Sequence, residues 1–295
     1  MALHRGARAA RVARLALSGS VGATAAVGAL CGVLAGCDAG PGADEKAGRV
    51  KPTSDAGPAK DTRSVIKELA VGRLPAGAEL TIDGRLDERA WAQAASTGPF
   101  VDVGSGREVP GAATLGSARL LWDDRFLYVG FEVTDKKVHG GWPAGAKDPH
   151  LWEKDTVELM IDPDGDGDNK DYYEVQINPQ NLVFDTQYDD YNSPNGNGRG
   201  PFGHEEWSAG LTSAVQVHGT LDDDSDVDRG YTVEAKIPWA SFTKAKKSPP
   251  ATGQTWRMNF YAMKNNGGTA WSPILGMGNF HRASRFGRVR WVAAN

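Results

Sequence analysis

Residues 151–178, LWEKDTVELMIDPDGDGDNKDYYEVQIN, leave the backbone few options. Two runs with a period of two flank an acidic, Gly-rich turn. That period marks a strand, because successive side chains point to opposite faces. In 156–161, Val157, Leu159 and Ile161 share one face, and Thr156, Glu158 and Met160 take the other. In 173–178, Tyr173, Val175 and Ile177 lie together, opposite Glu174, Gln176 and Asn178. Each strand is therefore expected to bury its apolar set and present its polar set to solvent. The presented groups are carboxylates and amides, with the indole of Trp152 just upstream. A flat apolar ring suits the C–H face of a pyranose, and fixed donors and acceptors suit its hydroxyls.

The remainder of the folded region reads in the same way. Residues 65–71 form a first strand, 81–84 a strand end and turn, and 86–95 (LDERAWAQAA) a short helix. Residues 118–135 form a hairpin turning at Asp123-Asp124-Arg125, with Leu127, Val129, Phe131 and Val133 on one face. Further strands are expected over 182–188, 211–217, 231–238, 255–264 and 286–292, with one helical turn over 239–242. Residues 192–203 and 271–285 read as loops. Short strands, Gly/Asp/Pro turns and almost no helix predict an all-β fold, a single antiparallel β-sandwich of the jelly-roll kind over 64–295. A net charge of −4 carries no basic footprint, so nucleic acid is not an expected partner.

The N-terminus has a different character. Arg5, Arg8, Arg11 and Arg14 precede an uncharged Ala/Leu/Val/Gly stretch over 15–35, the pattern of an export signal. It ends in Leu34-Ala35-Gly36-Cys37, which resembles a bacterial lipobox, so 1–36 is expected to be removed and Cys37 lipidated. Residues 37–63, with Val50 their one β-branched aliphatic residue and no aromatic residue, cannot bury enough apolar area to offset chain entropy and read as a flexible tether. The expected location is thus a membrane-anchored lipoprotein of the bacterial cell envelope, in the periplasm or at the cell surface. The chain's two cysteines, Cys31 and Cys37, both lie in this segment, so the folded part has no thiol ligand and no disulfide.

Several blocks taken in order resemble the family 9 carbohydrate-binding modules. They are Ile82-Asp83-Gly84-Arg85-Leu86-Asp87-Glu88 with Trp91, Leu121-Trp122-Asp123-Asp124 with Leu127-Tyr128-Val129, and the runs 152–162, 230–239, 269–273 and 286–287. The resemblance implies a DOMON-like β-sandwich that binds poly- or oligosaccharide without cleaving it, with glycoside hydrolases as possible neighbours in xylan or cellulose breakdown. It also implies a sugar held between two aromatic rings. The first Trp falls on Trp152, a hydrogen-bonding Glu on Glu158, an Arg and an Asn on Gln176 and Asn178, and the second Trp on Phe280. Two of these depart from the pattern: the Arg is Gln176 and the second Trp is Phe280. Losing the guanidinium removes a charged, forked donor.

Two further features carry chemistry. Asp162, Asp164, Asp166 and Asp168 alternate as in a calcium loop, but position twelve is Tyr173 rather than Glu and the context is a hairpin. An EF-hand is thereby excluded, and a structural Ca²⁺ site in the turn is the expectation that stands. Asp222, Asp223, Asp224, Asp226 and Asp228 form a second acidic run that reads more simply as a solvated turn. Glu158 and Glu174 are equidistant from Asp166, so a symmetric hairpin would set them side by side. Close carboxylate pairs serve retaining glycosidases, which makes hydrolysis by Glu158 and Glu174 the alternative activity. An envelope scaffold that has lost sugar binding is another.

Overall fold

The structure, a computed structural model, describes residues 65–191, 202–276 and 280–293. The export signal over 1–36, Cys37, the tether over 37–63 and residues 192–201 of the Gly/Asn loop lie outside the described residues. The described strands are β1 (Glu68–Val71), β2 (Ala95–Ser96), β3 (Val101–Asp102), β4 (Thr114–Trp122), β5 (Phe126–Asp135), β6 (Thr156–Asp162) and β7 (Lys170–Ile177). They continue as β8 (Val183–Asp190), β9 (Thr212–Val217), β10 (Tyr231–Pro238), β11 (Thr255–Lys264), β12 (Gly267–Ala270) and β13 (Gly287–Trp291). The larger sheet runs β1-β13-β11-β6-β7-β8, with β12 joining β11 to β3, and the smaller runs β2-β4-β5-β10-β9. Among the described strand pairs only β1 with β13 is parallel, and an isolated parallel bridge joins Arg73 to Trp122. The expected β-sandwich is what the chain forms.

One apolar core lies between the sheets. Leu120, Val129, Phe131 and Val233 from the smaller sheet meet Val157, Leu159, Ile161, Val175 and Phe260 from the larger. At one place in it four indoles interlock: Trp239 packs edge-on to Trp256 at 5.5 Å and Trp291 at 5.3 Å, and Trp122 meets Trp291 at 5.9 Å. Edge-to-face pairs of this kind add about 0.5–1.5 kcal/mol each beyond the area they bury.

The expectation that one face of β6 and β7 meets water is overturned. Every residue of β6 is buried, and Glu158, Glu174 and Gln176 are at most 3% exposed. The loops fold back over the outer face of the larger sheet and cover a second cluster: Met160, Tyr172, Tyr188, Tyr261, Met263 and Phe286, with Trp152, Tyr191 and Phe280 packed against it. The outer face of the smaller sheet carries a third layer, in which Trp91, Leu121 and Tyr128 pack with Leu80, Ile82 and Leu86.

Residues 86–95 do not form the expected helix; a single 3-10 turn occupies Trp91–Gln93. What fixes this segment is a buried carboxylate. Glu234, on β10 and fully buried, accepts from the indole of Trp91 at 2.9 Å and from the backbone N–H groups of Asp83 and Gly84 at 2.9 and 3.2 Å. Gly84 sits at φ 87°, and a Cβ there would come within 2.8 Å of the Val215 carbonyl carbon, so neither conformation nor space admits another residue. The Ile-Asp-Gly…Trp block is thus the part of the chain that latches the third layer to the sheet. Glu234→Ala leaves three donors facing an apolar void. It is expected to lower unfolding free energy in urea by about 2–4 kcal/mol. A loss below about 0.5 kcal/mol would show that the latch is dispensable.

Candidate functional site

The strand registers place the polar residues of β6–β8 under a cavity of about 240 Å³. Glu158 of β6 pairs directly with Gln176 of β7, and Met160 with Glu174. Glu158 and Glu174 are therefore diagonal neighbours and not the opposed pair that hairpin symmetry suggests; the turn is centred one residue later than Asp166. They meet nonetheless through Gln176, whose amide nitrogen donates to Glu174 Oε1 at 2.5 Å and to Glu158 Oε2 at 3.3 Å. Tyr188 of β8 donates its hydroxyl proton to Glu174 Oε2 at 3.0 Å.

Around this floor stand aromatic rings held by the covering loops. Trp152 comes from the single 3-10 turn Leu151–Glu153, Tyr191 follows β8, Phe202 precedes β9, and Phe280 and His281 lie ahead of β13. Each wall ring is backed by another. His150 stacks on Trp152 at 4.4 Å and 17°, Tyr261 on Phe280 at 5.2 Å and 21°, and Tyr191 on His281 at 4.5 Å and 19°. His150 and Tyr261 do not line the cavity, so the Trp152 and Phe280 rings keep a face for it. Asn266, in the turn between β11 and β12, completes the lining as a polar rim residue.

Of the five residues singled out for binding, the structure brings Trp152, Glu158, Gln176 and Phe280 to one cavity. Asn178 is not among its lining residues. Fully buried, it uses its carbonyl oxygen to accept from the backbone of Gln180 and Leu182 at 3.0 and 2.8 Å, ordering the turn after β7. Sequence reading did not place Tyr188, Tyr191, Phe202, Asn266 or His281 here. Tyr188 lies in phase with Phe184 and Thr186 on β8, opposite the more polar Asp185, Gln187 and Asp189, and the others sit on loops that carry no periodicity.

The electrostatics follow from burial. Burial raises Glu158 well above the usual carboxylate range, with the neighbouring Glu174 adding to the effect. Burial likewise lifts Glu174 to about 7, against the pull of its Gln176 and Tyr188 hydrogen bonds. Burial holds His281 down to about 3, so the imidazole is neutral where the carboxylates titrate. It accepts or donates at Nδ1 with the Tyr172 hydroxyl at 2.7 Å.

In the acidic turn, ligand oxygens of Asp162, Asp164 and Asp166 can lie within 4.8 Å of one another. Asp162 is buried and accepts from the N–H groups of Gly165 and Gly167 at 3.0 Å each. Burial, with Asp164 beside it, raises its carboxyl to about 7. Asp168 is not part of that group and accepts from Lys170 N–H at 2.9 Å. The 222–228 run is structural: Asp228 accepts from Val138 and Thr220 N–H groups, and Asp222 from Gly140.

A carboxyl whose pKa rises on folding holds a proton that the unfolded chain has released. Its contribution therefore weakens as pH climbs from the ordinary Glu range through about 7, where Glu174 titrates. Glu158→Gln removes one of the two buried acids. It is expected to raise stability by about 1–3 kcal/mol more at mildly alkaline pH than at mildly acidic pH. An effect equal at both ends in urea unfolding would contradict the buried pair.

Comparison with known proteins agrees with this architecture. Among solved structures, a family 9 carbohydrate-binding module from Caldicellulosiruptor kristjanssonii in complex with cellotriose matches with a TM-score of 0.50 at 20% identity. It covers 78% of this chain and 95% of that one. A Bacteroides uniformis protein described as a putative carbohydrate-binding protein matches with a TM-score of 0.57 at 20% identity, over 77% of this chain and 99% of the other. Among curated proteins, an exoglucanase from Acetivibrio thermocellus is 30% identical over 164 residues, 55% of this chain and 12% of its own length. An endo-1,4-β-xylanase from Thermoanaerobacterium saccharolyticum is 27% identical over 125 residues, 42% of this chain and 8% of its length. The matched region is thus a small part of those enzymes. The profile of the family described as "Carbohydrate family 9 binding domain-like" matches residues 82–293. With most of the chain so covered, this protein belongs to the family 9 carbohydrate-binding domains.

Proposed function

We propose that the cavity over β6–β8 binds a single sugar unit of an oligo- or polysaccharide by equilibrium association, without cleaving it. The observation that carries this reading is the combination of an open cavity of about 240 Å³, aromatic walls and a hydrogen-bonding floor in one place. Trp152 and Phe280 supply flat apolar faces, each stiffened by the ring behind it, so little conformational entropy is lost on binding. Glu158, Gln176 and Asn266 supply acceptors and donors for hydroxyls. The family membership and the solved module holding cellotriose support the same ligand class. In this reading the partners are saccharides of the xylan or cellulose type, and hydrolases acting on them are neighbours.

Isothermal titration with glucose, xylose, cellobiose and soluble xylan tests the proposal. At least one of these is expected to bind, and Trp152→Ala is expected to weaken it about tenfold or more, as loss of a stacking ring does. Absence of heat with all four, or unchanged affinity in the variant, would reject it.

The remaining expectations form part of the same proposal. Cys37 carries the lipid, residues 38–63 tether the domain to an envelope membrane, and Ca²⁺ stiffens the turn through Asp162, Asp164 and Asp166. The convergence of those three carboxylates supports the cation, although Arg257 already donates to the Gly165 carbonyl oxygen at 3.0 Å and screens part of the charge. Calcium in excess over EDTA is expected to raise the melting temperature, since a ligand bound only by the folded state stabilises it. Asp162→Asn should abolish that rise, and a calcium-independent melting temperature would dismiss the site.

A further inference from the structure

The charge of the cavity is unbalanced. Two buried carboxylates, Glu158 and Glu174, form its floor, and among the described residues none that lines it is a Lys or an Arg. The imidazole of His281, 3.6 Å from Glu174 Oε2, is the basic neighbour the structure provides, and burial keeps it neutral above about pH 3. Gln176 holds both acids with one neutral amide, at the position where the family resemblance places a guanidinium. Two buried acceptors, Glu158 Oε1 and Gln176 Oε1, have no hydrogen-bond partner among the described residues. The surrounding walls present the π-systems of Trp152, Tyr188, Tyr191, Phe202 and Phe280, whose negative faces attract cations.

We propose that the sugar unit this cavity prefers is an amino sugar with a free ammonium group, such as a deacetylated glucosamine residue. The proposal rests on the saccharide-binding reading above and refines its ligand class. A neutral hydroxyl offers one donor, whereas an ammonium offers three donors and no acceptor, together with the charge the floor lacks. An N-acetylated unit loses both advantages, because its amide is neutral and has a single N–H. At neutral pH the acid pair retains a proton, and an incoming ammonium displaces it to solvent; a neutral sugar displaces none.

Titration calorimetry of the intact protein with glucosamine, N-acetylglucosamine and glucose, slightly below neutral pH, tests this. Glucosamine is expected to bind at least about tenfold more tightly than either neutral sugar, corresponding to ~1.4 kcal/mol. Its apparent heat should depend on the ionisation enthalpy of the buffer, while that of glucose should not. Gln176→Arg, which returns a positive charge to the floor, should reverse the preference. If that variant does not fold, the buffer dependence of the wild-type protein decides the matter. Glucose binding as tightly as glucosamine would overturn the amino-sugar preference and leave the saccharide reading standing, as would a heat for glucosamine that is independent of buffer. Failure of all three sugars to bind would overturn both.

Discussion

At its centre, over β6 and most of β7, the larger sheet of this protein is buried on both faces, and most of its character follows from that constraint. A strand in such a sheet alternates between two interiors rather than between an interior and water. On β6, Val157, Leu159 and Ile161 enter the core between the sheets, while Thr156, Glu158 and Met160 enter a second layer beneath the loops. The inter-sheet core is built of apolar side chains and closed by interlocking indoles, and between the sheets the buried Asp135 is paired with Lys264. In the outer layer the acids lie where polar partners, Gln176 and Tyr188, meet them. The cavity is the gap that the covering loops leave above that polar patch.

Burial of two like charges side by side is costly unless they are paired or neutralised. Elsewhere the fold deals with the same problem by pairing. Asp135 and Asp155 are buried with Lys264, whose ammonium donates to both at about 3 Å and ties β5 to β11. Glu234 is surrounded by three N–H donors. Glu158 and Glu174 have an amide and a hydroxyl, and among the described residues that line the cavity no Lys or Arg. Among the described residues this acid pair is thus less fully compensated than Asp135, Asp155 or Glu234, and it lines the cavity.

Much of the architecture was legible in the sequence because a period of two is a local signal. The β4–β5 hairpin turns at Asp123, whose Oδ1 accepts from Arg125 and Phe126 N–H groups at 2.7 Å each, and β10 and β11 begin and end where the alternation does. The helix expected over 86–95 is replaced by the single turn Trp91–Gln93, whose Trp91 is held by a distant contact to Glu234. The short strand β12 escaped notice, since Gly267 and Gly268 hide any alternation. For the site, Trp152, Glu158, Gln176 and Phe280 were readable through family resemblance. The loop residues Tyr191, Asn266 and His281 were not, because only tertiary folding brings them over the sheet. Asn178 shows the converse: in phase with Glu174 and Gln176 along the strand, it is drawn instead into the turn that follows. The register of Glu158 against Gln176 also lay beyond the sequence, since a Gly-rich acidic turn does not fix its own centre.

The most direct test of the central claim is a two-dimensional ¹H–¹⁵N spectrum followed through a saccharide titration. The account predicts that the Trp152 indole and the Gln176 side-chain amide shift together along one saturating curve, while the indoles of Trp122, Trp239, Trp256 and Trp291 in the inter-sheet core stay fixed. Saturating shifts confined to another surface, with Trp152 and Gln176 unmoved, would contradict it.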